Sequence, residues 1–360
     1  MLNRFSNIFA KDFDRKMAKE KKVSIKDVAN SLGVSTTLVS VVLNGKARQF
    51  RISEEMVRKV QDAALSMNYS PNLIARNLRG GKTQLIGLIV TDISNPFYSS
   101  IARIVESRAE ELGYTVIFSS SQEDLNNTRR LIDVLLNKGV DGLIVVPCDG
   151  SEPVIRKLHE SNTPLVLIDR NFPTLDVSFS CLNNYRATEL TTGHLIEQGH
   201  KNIALIAYNT EMNHVIERIR GYEDTMKKAG LESYINVEKV DLSNSKEEIK
   251  AVLGTLIHEK KTEAVIFLTN MLAITGLYCI KEMNVKIPDD LAVVAFNRND
   301  VFNLFYSSVT HIRQPLERIA TEATNILVDK IERGELEVKT FAYSEPELIP
   351  GDSSRKVIRN

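Results

Sequence analysis

From Leu85 onward, short β-branched runs alternate with amphipathic stretches of helical period: LIGLIV, SSIARIVESRAEELG, YTVIFSS, NNTRRLIDVLLNKG, DGLIVVP, EPVIRKLHES and PLVLID. Runs of four to eight apolar residues fit strands buried on both faces. Strands separated by helices do not pair as hairpins, so the pattern predicts parallel βαβ units. The alternation breaks near residues 170–182 and resumes with NYRATELTTGHLIEQG, NIALIAY, HVIERIRGYEDTMKKAG, KEEIKAVLGTLIHEK, EAVIFLT, MLAITGLYCIKEMN and LAVVAF. Two successive α/β sets predict two lobes.

The segment ahead of this pattern is of another kind. Residues 23–70 carry helical period with few strand signals, and residues 71–83 (PNLIARNLRGGKT) are short, apolar and basic. In SIKDVANSLGVSTTLVSVVLNG, Ser24 is placed to cap a helix whose Ile25, Val28, Ala29 and Leu32 fall on one face. Gly33 makes a tight turn. Ser35 or Thr36 then opens a second helix that turns Val39 and Val42 or Leu43 inward and leaves Thr36, Thr37, Ser40 and Val41 outward. Small residues at Ala29 and Gly33 allow a close crossing, as a DNA-reading helix-turn-helix requires.

Charge divides the chain at the same place. The whole is neutral, with 46 Lys and Arg against 46 Asp and Glu, yet residues 1–82 hold 16 basic and 7 acidic residues. A head of net +9 on a body of net −9 is the layout of a nucleic-acid-binding module fused to a domain that avoids nucleic acid. Residues 1–22 are expected to be a disordered extension. Within it, residues 1–16 precede a second methionine, Met17, and read as a tail or an upstream start.

Other classes fit poorly. No apolar run approaches the roughly 18–20 residues of a membrane span, and no signal peptide is legible. Cys148, Cys181 and Cys279 are odd in number and far apart, which argues against a disulfide framework and for a reducing, cytoplasmic setting. The six histidines lack metal-ligand spacing, so no metal or cofactor is expected. G-x-G-x-x-G after a strand, G-x-S-x-G and H-E-x-x-H are missing, and the GGKT of residues 80–83 has Arg76 where a phosphate loop needs its first glycine. An enzyme is therefore not expected. A secreted sugar-binding protein would need a leader and no helix-turn-helix.

The motifs VSIKDVANSLGVSTTLVSVVLNG, RISEEMVRKVQDAALSMNYSPNLIARNLR, IGLIVTDISNPFYSSI and GVDGLIVVP together resemble the lactose-repressor (LacI/GalR) family of bacterial transcription regulators. The resemblance runs from about residue 23 to the end. It implies an N-terminal all-α helix-turn-helix domain (23–70), a hinge helix and linker (71–83), and a two-lobed periplasmic-binding-protein-like core (84–360). Its first lobe would take about 84–180 and 314–337, its second about 181–313 and 338–360. The implied partners are a near-palindromic double-stranded operator, a small-molecule effector and a second copy of the chain. The tail after Ser353 is too short for the heptads of a tetramerisation helix, which favours a dimer.

Position by position, the resemblance puts Thr36 and Thr37 at the base-reading end of the recognition helix, with Ser35, Ser40 and Asn44 near phosphates. Val41 stands where the family usually has a basic residue. It either meets a thymine methyl or packs on a neighbouring helix. The loop GKARQFRIS is about three residues longer than usual, and its Lys46, Arg48 and Arg51 either grip phosphate or are simply solvated. In the hinge, Asn72 and Arg76 accompany Leu78, which corresponds to the leucine that wedges into the minor groove. A segment this short would fold only on DNA.

For the effector, the resemblance nominates Asp92, Phe97 and Tyr98 of TDISNPFYSS, Asp169, Arg218, Asn270, Asn297 and Gln314. Strand ends in open α/β sheets are ligand positions, aromatic faces suit sugar rings and carboxylates suit paired hydroxyls. Phe97 could equally be helix-start packing. Met271, Asn297 and Arg298 replace acidic residues usual in the family. That loss leaves Arg218 with fewer carboxylates and favours a sugar acid or sugar phosphate over a neutral sugar, whereas Asp92 and Asp169, which could neutralise Arg218 and bind neutral hydroxyls, argue the other way.

Overall fold

The computed structural model describes residues 23–43, 45, 47–69, 81–241, 245–297, 302, 307–334 and 340–356. The chain divides into two units, residues 1–81 and 82–360. The first unit holds α1 (Ile25–Leu32), α2 (Thr36–Leu43) and α3 (Glu54–Ser66). Ser24 caps α1 in a reciprocal box: its hydroxyl accepts from the Asp27 N–H, and the Asp27 carboxylate accepts from the Ser24 N–H at 2.8 Å. Gly33 ends the helix at φ +66°, and a Cβ there would meet nothing within 4 Å. Its role is therefore the left-handed turn and not close approach, which corrects half of the expected small-residue crossing. Ala29 supplies the close contact, buried with Val28, Val39, Val42, Val60 and Ala64.

The second unit contains two six-stranded sheets. The first has the order β11-β5-β4-β3-β1-β2, from β1 (Leu85–Val90), β2 (Thr115–Ser120), β3 (Gly142–Val145), β4 (Leu165–Ile168), β5 (Phe179–Leu182) and β11 (Phe341–Ser344). The second has the order β12-β10-β9-β8-β6-β7. Its strands are β6 (Ile203–Tyr208), β7 (Asn236–Val240), β8 (Ala264–Phe267), β9 (Ala292–Phe296), β10 (Thr310–Arg313) and β12 (Glu347–Ile349). Every pairing is parallel except that of β10 with β12.

Helices cover both faces of each sheet, which is why the strands are apolar throughout. In the first lobe, α4 (Pro96–Glu111) and α11 (Leu316–Arg333) bury Ile101, Val105, Ala323 and Leu327 against Ile86, Leu88 and Val90. The alternate residue Ile89 faces α5 (Leu125–Asn137) and α6 (Glu152–Glu160). In the second lobe, α7 (Asn184–Glu197) and α8 (Asn213–Lys228) lie on one face, α9 (Ser245–His258) and α10 (Asn270–Glu282) on the other.

The chain passes between lobes three times: at Asn183 after β5, at Gln314 before α11, and between β11 and β12. The last crossing corrects the expected boundary, because residues 341–344 belong to the first lobe and not the second. The Phe341 and Tyr343 rings sit 5.4 and 5.0 Å from that of Phe179, and the Asn183 N–H donates to the Ser344 carbonyl.

Candidate functional site

In the head, Ser35 precedes α2 and its hydroxyl accepts from the Leu38 N–H at 3.2 Å, so this side chain caps the helix. Thr36 and Thr37 are exposed at the helix start, while Ser40 and Val41 are half-buried one turn on. Arg48 and Arg51 are exposed. Val41 is thus half-buried, which does not choose between its two expected roles. Asn44, Lys46, Asn72, Arg76 and Leu78 lie outside the described residues, as do the extension 1–22 and most of the hinge.

In the second unit, the carboxyl ends of the strands of both lobes surround a cavity of about 570 Å³. Asp92, Phe97, Tyr98, Asp169, Arg218, Asn270, Asn297 and Gln314 all border it, although they come from opposite ends of the sequence. Phe97, which borders the cavity, also packs in the first-lobe core. Backbone geometry marks the place: Gln122, Glu123, Asp169 and Asn297 line the cavity at φ between +56° and +67°. Residues with a Cβ avoid this region, and such strained positions gather at ligand sites.

The cavity also contains side chains that the sequence reading missed: Glu123, Asp149, Arg170, Thr210 and His214. Glu123, Asp149 and Arg170 each follow the end of a strand of the first sheet. The strand-end rule, applied to every strand and not only to two, would have found them. Arg170 binds Glu123 through two parallel hydrogen bonds of 2.6 and 2.8 Å and donates to the Tyr98 hydroxyl at 3.1 Å. That hydroxyl donates to Asp169 at 3.0 Å. Burial raises the Asp169 carboxyl above its ordinary range, opposed by Arg170, Arg218 and the Tyr98 hydrogen bond. At the rim, Thr210 of the second lobe donates to Asp149 of the first at 2.6 Å.

Arg218 is 4% exposed. Its Nε donates to Asn184 at 2.8 Å, its Nη1 donates to the Leu268 carbonyl at 2.6 Å, and its guanidinium lies 4.0 Å over the Phe296 ring. Burial lowers its pKa to about 10, which leaves it charged at neutral pH. The structure therefore corrects the expectation of an acid-poor pocket. Two guanidinium groups face four carboxylates, Asp92, Glu123, Asp149 and Asp169, and Arg170 is already paired. Arg298 lies outside the described residues.

Two family models match the chain: "Bacterial regulatory proteins, lacI family" over residues 24–72, and "Periplasmic binding proteins and sugar binding domain of LacI family" over residues 83–340. The chain belongs to the LacI family of bacterial regulatory proteins. Like its relatives, this LacI-family chain is a DNA-binding transcription regulator and not an enzyme. It is 30% identical over 334 residues to the transcriptional regulator DegA of Bacillus subtilis, covering 91% of this chain and 97% of the relative. It is also 30% identical over 338 residues to the transcriptional repressor PurR of Aliivibrio fischeri, covering 92% and 98%. The fold matches the lac repressor dimer bound to operator and the anti-inducer ONPF at a TM-score of 0.81, with 22% identity over 93% of this chain and all of that one. Among the described residues, no helix of this regulator is long and apolar enough to cross a membrane, and no His, Cys, Asp and Glu group is arranged to hold a metal.

Protonation of three histidines of the regulator is disfavoured. Burial pushes His194, His200 and His214 below their ordinary value, and Arg170 and Arg218 push His214 further. His194 and His200 bind Ser354 of the C-terminal turn, at 2.8 and 3.0 Å. The unfolded chain takes up protons near pH 6.5 that the folded chain refuses, so stability should be full above about 6.5 and fall as the pH drops through that value. Each of the two well-buried rings, His200 and His214, contributes at most about 1.4 kcal/mol per pH unit. Urea midpoints measured from pH 7.5 to 5.5 should decline, and His200→Gln should flatten the curve. A flat wild-type curve would show that these rings titrate normally.

Proposed function

We propose that this regulator is a repressor of carbohydrate-utilisation genes that binds a near-palindromic operator as a cytoplasmic homodimer and answers to a neutral sugar between its lobes. One observation carries the reading: on the chain that bears the helix-turn-helix, the cavity combines aromatic faces with a deep set of charges that cancels. Arg170 and Arg218 balance Glu123 and Asp169, while Asp92 and Asp149 make the exposed rim acidic. A neutral ligand rich in hydroxyls meets donors and acceptors without adding charge to a low-dielectric site. An anion would pass an acidic rim and leave a buried charge uncompensated. The sugar acid expected from sequence is therefore set aside. The matching family description speaks of a sugar-binding domain, and the similar lac repressor structure is of a dimer on operator.

Ligand in the cleft would change how the two lobes are disposed and hence how the two heads of a dimer meet DNA, a coupling free energy between the sites. Selection of binding sites from random DNA with the full-length protein should return a two-fold symmetric consensus. A panel of neutral sugars in the gel-shift assay should then contain one that changes the retained fraction. An asymmetric site, or a response confined to sugar acids, would overturn the reading.

Val41 carries a more specific expectation. An arginine there can make a bidentate contact to guanine, worth about 1–3 kcal/mol of discrimination. Val41→Arg should shift the consensus towards guanine at one position in each half-site. An unchanged consensus would place residue 41 outside the groove.

A further inference from the structure

The chain enters the effector core at the amino end of β1, and there one carboxylate gathers the entering residues. Asp141 stands between α5 and β3, beside the start of β1 in the sheet. Its Oδ1 accepts from the Thr83 N–H at 2.9 Å and from the Thr83 hydroxyl at 3.0 Å, and its Oδ2 accepts from the Gln84 N–H at 2.7 Å. The Thr83 hydroxyl in turn accepts from the Leu85 N–H at 3.1 Å. Gln84 is held at φ +58°, a left-handed conformation that a residue with a Cβ adopts only under constraint. A second carboxylate braces the residue before them. Glu332, in the last turn of α11, binds Lys82 at 2.6 Å through one oxygen and accepts from the Tyr114 hydroxyl at 2.9 Å through the other. Because β1 begins at this clamp and ends at the cavity six residues later, the two lie about 20 Å apart.

We infer that Asp141 is a positioning residue for operator binding: its carboxylate, with Glu332 beside it, fixes the path by which the chain leaves the core towards the DNA-reading head. The inference rests on the chain being a DNA-binding regulator and is independent of which effector fills the cavity. Backbone bonds keep the sheet in register without the carboxylate. The Asp141 N–H donates to the Leu85 carbonyl at 2.7 Å and the Thr115 N–H to the Gln84 carbonyl at 2.8 Å, and a substitution at 141 removes neither. What the side chain adds is order in residues 82–84. Gln84 is exposed and Thr83 half-buried, so water can replace the lost acceptor at little cost to the core. Residues released in this way must be ordered again on DNA, and the entropy of that ordering weakens binding. Charge alone predicts the opposite sign. Asp141 and Glu332 are negative groups beside the basic stretch that holds Arg76, Arg79 and Lys82, so removing either would tighten the grip on phosphate. A loss of affinity therefore reports geometry.

Fluorescence anisotropy of the full-length protein tests this with two labelled duplexes, the site that wild type selects from random DNA and a scrambled version of it. Asp141→Ala should bind the selected site roughly tenfold more weakly, the order expected from freeing the backbone of one residue. Its affinity for the scrambled duplex, which depends on the charges of the head, should be no lower than that of wild type. Asp141→Asn keeps one acceptor oxygen for Thr83 and should fall between wild type and Asp141→Ala, whereas charge alone would place both variants above wild type. Thermal scans check that each variant is folded at the assay temperature. If Asp141→Ala is not, Thr83→Val, which keeps the shape and takes the hydroxyl out of the clamp, should show the same selective loss. Selected-site affinity equal to or above wild type in the folded variants would overturn the role of Asp141. An equal loss on both duplexes would overturn it as well, since damage to the head and not to its positioning would then be the cause.

Discussion

Gly221→Ala should lower the thermal midpoint of the effector core by roughly 4–8 °C. The glycine lies where α8 crosses α7, and a Cβ on it would stand 2.3 Å from the Tyr185 carbonyl oxygen and 2.5 Å from the Thr188 hydroxyl. The nearer atom is backbone inside a helix, so it cannot swing aside as a flexible side chain would. Overpacking of this kind costs about 3 kcal/mol or more, and a domain of this size loses about 2–4 °C per kcal/mol. Helix propensity pulls the other way, since alanine gains about 1 kcal/mol over glycine in a helix interior. The sign of the measured shift therefore separates the two effects. His214 and Arg218 lie on the same helix, two turns and one turn before the glycine, so a displaced α8 should also weaken effector binding. A midpoint that rose, or moved by less than 2 °C, would show that the helices part without strain.

Arg218→Met should remove the effector response and destabilise the core by about 3 kcal/mol. Methionine fills most of the same volume, so a cavity is not the cause. What is lost is a charge held by Asn184, the Leu268 carbonyl and the Phe296 face, and the Asp169 carboxylate loses one of two neighbouring guanidinium groups. Leaving such partners buried and unpaired costs more than the net worth of the bonds. Lysine keeps the charge but lacks the planar fork, so Arg218→Lys should recover part of the stability and little of the response. Urea unfolding reads the first effect, and gel shifts with and without sugar read the second. If Arg218→Met still responded normally, Arg218 would be a packing residue and not part of the effector site.

The head was legible in the sequence because its determinants are local. Ser24 and Asp27 are three residues apart and cap one helix, Gly33 sets one turn, and the apolar spacing decides which face of each helix is buried. The alternation of strand and helix was legible for the same reason. Parallel pairing followed from it, since strands joined through a helix run in the same direction. The eight nominated cavity residues were found because the resemblance supplied their positions, most of them at strand ends.

What only the tertiary structure decided depends on residues far apart in the chain. The placement of β11 in the first lobe turns on Phe341 and Tyr343 meeting Phe179, and nothing in residues 338–360 alone records that contact. The charge of the cavity is likewise a sum over several strand ends. Positions 271, 297 and 298 make the cavity look short of carboxylates even with Asp92 and Asp169 counted, whereas Glu123 and Asp149 arrive from the first lobe and Arg170 is neutralised by a partner 47 residues away. Local periodicity fixes which residues stand at the ends of strands. Which of those ends face one another, and so which charges cancel, is set by the packing of two sheets whose strands lie far apart in sequence.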